Sequence, residues 1–282
     1  MTSVPAVRCD GCGGTVVVEP GQAMPRCLFC GSDAASLVPF TAEDVEEPEG
    51  FLPFAVDEAA ADQAFRTFCG GSFWYPGDLK NASLSLRPLL LPAWAWSGRL
   101  ETHWAGLVSA RSPSGKRPVS GMDVCAFEQV LVPSSTSLRL AELTALGPYD
   151  DAPMQPVGSG SLPAPHELSE MTRSAAQGRA EAEMERRHRA QIAVDSGTTG
   201  LNVSSVSDAL VGRPVLLPVW IGAFQYGDRT YRILVNGQTA VLHGDAPISV
   251  WRVLGVVLAV VAGLGAVVLA LGLCAGGAAV AG

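Results

Sequence analysis

Four cysteines near the start constrain this chain more than any other feature. Cys9 and Cys12 are two residues apart, as are Cys27 and Cys30, and fourteen residues separate the pairs. Two residues between cysteines let one tight turn aim both sulfurs at one ion. Two such turns complete a tetrahedral thiolate site of the kind zinc prefers. Gly13 and Gly31 follow the second cysteine of each pair, where a positive φ turns neighbouring amides toward sulfur, and Pro25 suits a turn before the second pair. The opening residues do not read as a secretory signal, so a metal site is expected rather than disulfides. Cys9, Cys12, Cys27 and Cys30 are therefore expected to hold one structural Zn2+, with no open catalytic position. So short a segment buries little core, and the metal is expected to supply the fold of a zinc ribbon over 1–36. Cys69, Cys125 and Cys274 are isolated in sequence and read as small buried hydrophobes.

The other end carries the second constraint. Val253 to Gly282 contains no charged residue, and Trp251 and Arg252 stand just before it. About 20 apolar residues cross a bilayer as a helix, so one transmembrane helix is expected over 251–275, with Trp251 and Arg252 at the interface. A thiolate site favours a reducing compartment. The expected location is the cytoplasmic (inner) membrane, single-pass, with the N-terminal bulk in the cytoplasm.

Acids outnumber bases 27 to 19, for a formal net charge of −8, and only Arg8 and Arg26 flank the cysteine turns. A general nucleic-acid binder needs Lys and Arg to neutralise phosphates, so nucleic acid is an unlikely partner. Residues 37–56 read as an acidic linker, with Glu43, Asp44, Glu46, Glu47 and Glu49 close together.

An internal echo organises the middle. Leu90-Leu91-Pro92-Ala93-Trp94 matches Leu216-Leu217-Pro218-Val219-Trp220, and each copy continues into a turn containing glycine and then an aromatic and a Leu-Val pair. Two copies of one β-hairpin unit follow from this. The first α+β unit is placed at 57–133, with a helix over Asp57 to Phe68. The second unit is a β-meander at 193–250, with turns at Gly227-Asp228 and Asn236-Gly237. A flexible linker is expected at 134–165 and a charged helix at 166–192, with Leu168, Met171, Ala175, Ala182 and Ile192 as its thin apolar face. The aromatic residues Trp94, Trp96, Trp104, Trp220, Tyr226 and Tyr231 read as core in preference to a binding groove. The fold class is α+β: an N-terminal zinc ribbon, two related antiparallel β units joined by a helical segment, and a C-terminal single transmembrane helix.

Catalytic motifs are scarce. There is no phosphate-binding Gly-rich loop ending in Lys-Ser/Thr, no His-Glu-x-x-His and no Gly-x-Ser-x-Gly. Asp195-Ser196-Gly197-Thr198 resembles the catalytic loop of aspartic proteases, whose chemistry needs two aspartates sharing a proton. The sequence holds one such loop, so only a homodimer could complete the pair; the competing reading is a helix-to-strand connector. The chain is expected not to be an enzyme, and no small-molecule substrate is evident.

The layout resembles a family of bacterial zinc-ribbon membrane proteins described as TFIIB-type or primosomal-helicase-like. The resemblance rests on the cysteine turns, Trp74 to Lys80, Leu90 to Trp94, Val215 to Trp220, Tyr231, Val235-Asn236-Gly237-Gln238-Thr239 and Gly244 to Ser249. Ala240 departs from it, standing where glycine is expected. The resemblance implies a non-enzymatic membrane-tethered adaptor presenting a cytoplasmic protein-binding surface, with a partner of the SPFH (band-7) type. The alternatives are a nucleic-acid-binding or transcription-related zinc-ribbon protein and, more remotely, a homodimeric aspartic protease.

Overall fold

A computed structural model describes residues 4–10, 14–17, 27, 29, 35–40, 46–110, 115–135, 137–158 and 162–278. Three short strands, β1 (Val4–Cys9), β2 (Thr15–Val17) and β3 (Ala35–Phe40), form a small antiparallel sheet ordered β2-β1-β3. Strand β3 runs across the expected boundary between ribbon and linker.

The body is one seven-stranded mixed sheet. Its principal strands are β5 (Ser85–Ser109), β6 (Lys116–Pro133), β8 (Thr199–Tyr226), β9 (Arg229–Asn236) and β10 (Leu242–Gly244). They lie side by side in the antiparallel order β6-β5-β8-β9-β10. Strand β4 (Gly50–Phe51) pairs in parallel with β8, and β7 (Gln155–Pro156) pairs with β4. Leu89 to Trp96 and Val215 to Ile221 are apolar throughout, as strands covered on both faces require. On one face, Leu89, Leu91, Ala93, Val215, Leu217, Val219 and Ile221 pack beneath helix α2 (Leu140–Leu146) and the N-terminal sheet. The other face is covered by α1 (Glu58–Gly70) at one end and α3 (Arg173–Ser196) at the other.

The echoed segments are not separate units. They pair with each other, Leu90 against Pro218, Leu91 against Leu217 and Pro92 against Leu216. The second leucine of each copy thus faces its counterpart across a pseudo-twofold axis. The relation extends further than the sequence echo. Phe51 pairs in parallel with Leu216, and His166 pairs in parallel with the matching Leu90. Six residues after each lies a helix N-cap: Asp57, whose carboxylate accepts the Ala60 N–H at 2.8 Å, and Thr172, whose hydroxyl accepts the Ala175 N–H. Each helix then packs on the other copy's hairpin. Helix α1 buries Ala61, Phe65 and Cys69 against Trp220, Phe224, Ile233 and Val235, and α3 buries Ala176, Ala180 and Met184 against Trp94, Trp96, Val130 and Val132.

The expected fold is corrected accordingly. The α+β class stands, but two units joined by a helix are replaced by a single sheet, because the long strands β5 and β8 bury their apolar faces against each other's neighbours. Residues 134–165, expected as a flexible linker, contain α2 and buried Ser134, Leu138, Leu143, Leu146 and Tyr149. The charged helix starts at Arg173, since Glu167 and Leu168 are engaged in backbone pairing with Leu90 and Thr15.

Helix α4 (Val250–Ala278) follows β10. Among the described residues no helix is long and apolar enough to cross a membrane. The single transmembrane helix over 251–275 and the single-pass inner-membrane location are corrected on this ground.

Candidate functional site

The four cysteines come first. Cys9 ends β1, and its N–H donates to the Gly14 carbonyl at 3.0 Å. Cys27 accepts the Phe29 N–H on its Sγ at 3.4 Å, a bond that closes a turn around sulfur. Both cysteines are buried in one cluster with Val16 and Phe29. Phe29 packs so closely over Gly14 that a Cβ there would lie 2.3 Å from its ring. Phe29 and Cys27 are thereby packed against the strands that carry Cys9 and Val16. Cys12 and Cys30 lie outside the described residues. Among the described residues no group of three or more His, Cys, Asp or Glu side chains could hold a metal. The zinc-ribbon element of the expected fold is corrected on that finding.

The protease-like segment is next. Asp195 lies in the last turn of α3, where both carboxylate oxygens accept from Gln191 Nε2 at 2.9 and 2.8 Å. Shared-proton chemistry requires a second carboxylate beside it, whereas Asp195 is bonded within its own helix. Of the histidines, His103 is exposed and bonded to Glu101 at 3.0 Å, His166 sits in the bridge to β5 with its pKa lowered by burial, and His243 lies on β10. Burial, then the charge of Asp123, pushes the Cys125 thiol up, and burial does the same to Cys69, so neither thiol is poised as a nucleophile.

Two buried polar clusters tie the layers together. On the arm formed by β5, β6 and β8, Thr102 is wholly buried; its hydroxyl meets His188 Nδ1 and Ser205 Oγ, each at 3.0 Å. His188 Nε2 lies 3.8 Å from Asp123. A Thr-His-Asp sequence of this kind suggests nucleophilic chemistry, but Thr102 is 0 % exposed. The arrangement instead pins α3 to the sheet. At the junction with the N-terminal sheet, Glu167 is buried, accepts from the Ser137 hydroxyl, and has its pKa raised by burial to about 7. Backbone bonds from Val17 to His166, Leu168 to Thr15 and Glu167 to Leu90 surround it.

The Asn236-Gly237-Gln238-Thr239 motif is a latch. The Asn236 amide donates to the carbonyls of Leu146 and Pro148 at 2.9 and 3.0 Å, while its Oδ1 accepts from Gln238 and Thr239. Gly237 accepts the N–H groups of Ala55 and Val56 and sits against Phe54 and Pro218, where a Cβ would lie 2.7 Å from the Phe54 ring. Ala240 has φ 58°, the left-handed conformation that glycine would adopt without strain.

The remaining candidate is a surface. The arm's face opposite α3 carries successive rows across the strands: Met122-His103-Ser204, then Val124-Glu101-Val206, then Ala126-Arg99-Asp208. Met122, Val124 and Val206 are 58, 42 and 64 % exposed. The exposed apolar side chains there alternate with Arg, Glu, Asp and His. Sequence reasoning did not find these residues, because Val124 and Val206 are 82 positions apart and become neighbours only through β5. A shallow open depression lined by Glu58, Ala59, Asp62, Leu84 and Leu86 is the competing feature, and there Asp62 is already paired with Arg66 at 3.2 Å.

No family model matches the chain, and no curated protein and no solved structure matches it.

Proposed function

We propose that the chain is a non-enzymatic adaptor that presents a protein-binding surface on the exposed face of the β5-β6-β8 arm. The observation that carries this reading is the mixed row Val124-Glu101-Val206, left open to solvent on a sheet whose opposite face is pinned by α3. A rigid sheet face keeps such a row in fixed register, which lowers the ordering cost of binding. The buried polar groups nearest this face are already engaged with one another, which suits a structural role better than catalysis.

A structural Zn2+ at Cys9, Cys12, Cys27 and Cys30 belongs to the same proposal. The Phe29 amide donating to Cys27 Sγ and the packing of Phe29 on Gly14 support it. Metal analysis of the purified chain is expected to give one zinc, and Cys9→Ser to remove it; a chain free of zinc, or one that keeps zinc after that substitution, would contradict this part.

A partner of the SPFH type, implied by the sequence resemblance, is the first to test. Co-purification with such a partner is expected to be lost in Val124→Glu and Val206→Glu, with the melting temperature unchanged. Retained binding in both variants would refute the proposed surface.

A further inference from the structure

We propose that the outer edge of β6 pairs, antiparallel, with the same edge of a second copy of this chain. Among the described residues, β6 pairs with β5 alone. Eighteen residues long, it presents on its other side a row of backbone acceptors and, except at Pro118 and Pro133, donors, a template for strand addition. The pseudo-equivalent strand β9 has its outer edge occupied, by β10 at Ile233, Leu234 and Val235. The architecture therefore already uses an outer strand at this place once, within the chain.

The strand's own sequence selects a second copy as the occupant. Centred on Met122, an antiparallel register sets Ser120 against Val124, Pro118 against Ala126, and Lys116, next to Arg117 in the basic end, against Glu128. Opposite charges then meet at both ends of the pairing, and two exposed methionines meet at its centre. Backbone direction agrees. Pro118 has no N–H to give to β5, so alternation along the strand points the N–H groups of Ser120, Met122 and Val124 outward, toward the second copy. The bulge between the Trp96 and Gly98 pairings shifts the parity, and Pro133 beyond it again takes a non-donating place. The paired arms would form one outer face six strands wide, in the order β8-β5-β6-β6-β5-β8. This inference is independent of what that face binds.

The test is sedimentation of the full chain together with spin-label distances. The wild-type chain is expected to sediment as a dimer, and Met122→Glu, which sets two carboxylates together on the axis, as a monomer with an unchanged far-ultraviolet spectrum. Glu128→Lys is expected to weaken the dimer roughly tenfold by opposing like charges, and Lys116→Glu with Glu128→Lys to restore it. With Cys125→Ser and Cys274→Ser as background, labels on Met122→Cys are expected to broaden each other strongly. Labels on Ser204→Cys, in the same cross-strand row, are expected about 24 Å apart, five strand spacings of about 4.8 Å. A monomeric wild type, a dimer that persists in Met122→Glu, or matching distances at the two label sites would overturn the proposal.

Discussion

The two halves of the sheet share a plan and differ at equivalent positions. Trp220 and Trp94 occupy the same place in their copies. Trp220 donates its indole N–H to the Val56 carbonyl at 2.8 Å and meets Phe54 edge to face. Trp94 stacks on Trp96 beneath the Arg173 guanidinium, and its indole N–H has no hydrogen-bond partner among the described residues. On the entering strands, six residues before each N-cap stand Phe51 and His166, and the next residues are Leu52 and Glu167, both buried. The α1 end is thus apolar and closed by α1 and β10. The α3 end carries an ionisable group at the junction, a polar pin beneath α3 and an open outer face. The difference teaches that one copy of the plan serves the core, while the other has been loaded with polar contacts and extended into an arm.

The sharpest way to break this comparison is at its axis. Leu91 and Leu217 face each other and are buried. Leu217→Ala is expected to cost about 2–5 kcal/mol and to lower one cooperative transition. Two separately melting halves in calorimetry would mean that they are independent units after all.

The second test uses pH. Glu167 has its pKa raised by burial to about 7, from 4.5. The neutral acid is therefore favoured in the folded chain, so its stabilising contribution is complete below about pH 4.5 and is lost as pH rises through about 7. The swing is on the order of 3 kcal/mol. Glu170 raises the value further, while the Ser137 and Ser135 hydroxyls and the Thr15 amide oppose the shift. Melting followed from pH 5 to 8 is expected to show this loss in the wild type and to show a smaller one in Glu167→Gln, whose amide does not ionise.

The polar pin comes next. Thr102→Val leaves His188 and Ser205 without their shared hydroxyl and is expected to cost about 1–3 kcal/mol, read by chemical denaturation. Smaller again, Ala240→Gly is expected to stabilise the chain by about 1 kcal/mol, because it relieves the left-handed backbone of the latch. Destabilisation there would mean that the alanine methyl packs usefully in the α1 end.

Much of this was legible where the signal is local. The Leu-Leu-Pro-x-Trp echo, the strand around Tyr231, the Asp57 cap and the anomalous Ala240 can all be read within a few residues. The α3 stripe was legible only in part. Ala176, Ala180, Met184, His188 and Ile192 recur every four residues, but alanines and a histidine do not announce a buried face, and local spacing points to Ala175 and Ala182 instead. The merging of the two units into one sheet was not legible, because it depends on β5 and β8 pairing across more than a hundred residues. The surface row was hidden for the same reason: Val124 and Val206 look like ordinary strand valines until Glu101 is placed between them.

The central claim is that the open arm face binds protein while the opposite end holds the fold. Photo-crosslinking in cells tests it most directly, with a photoreactive phenylalanine placed at Val206 in one variant and at Leu84, in the α1-side depression, in another. The account predicts a discrete adduct with a different protein from Val206 and none from Leu84. An adduct from Leu84 with none from Val206 would contradict it.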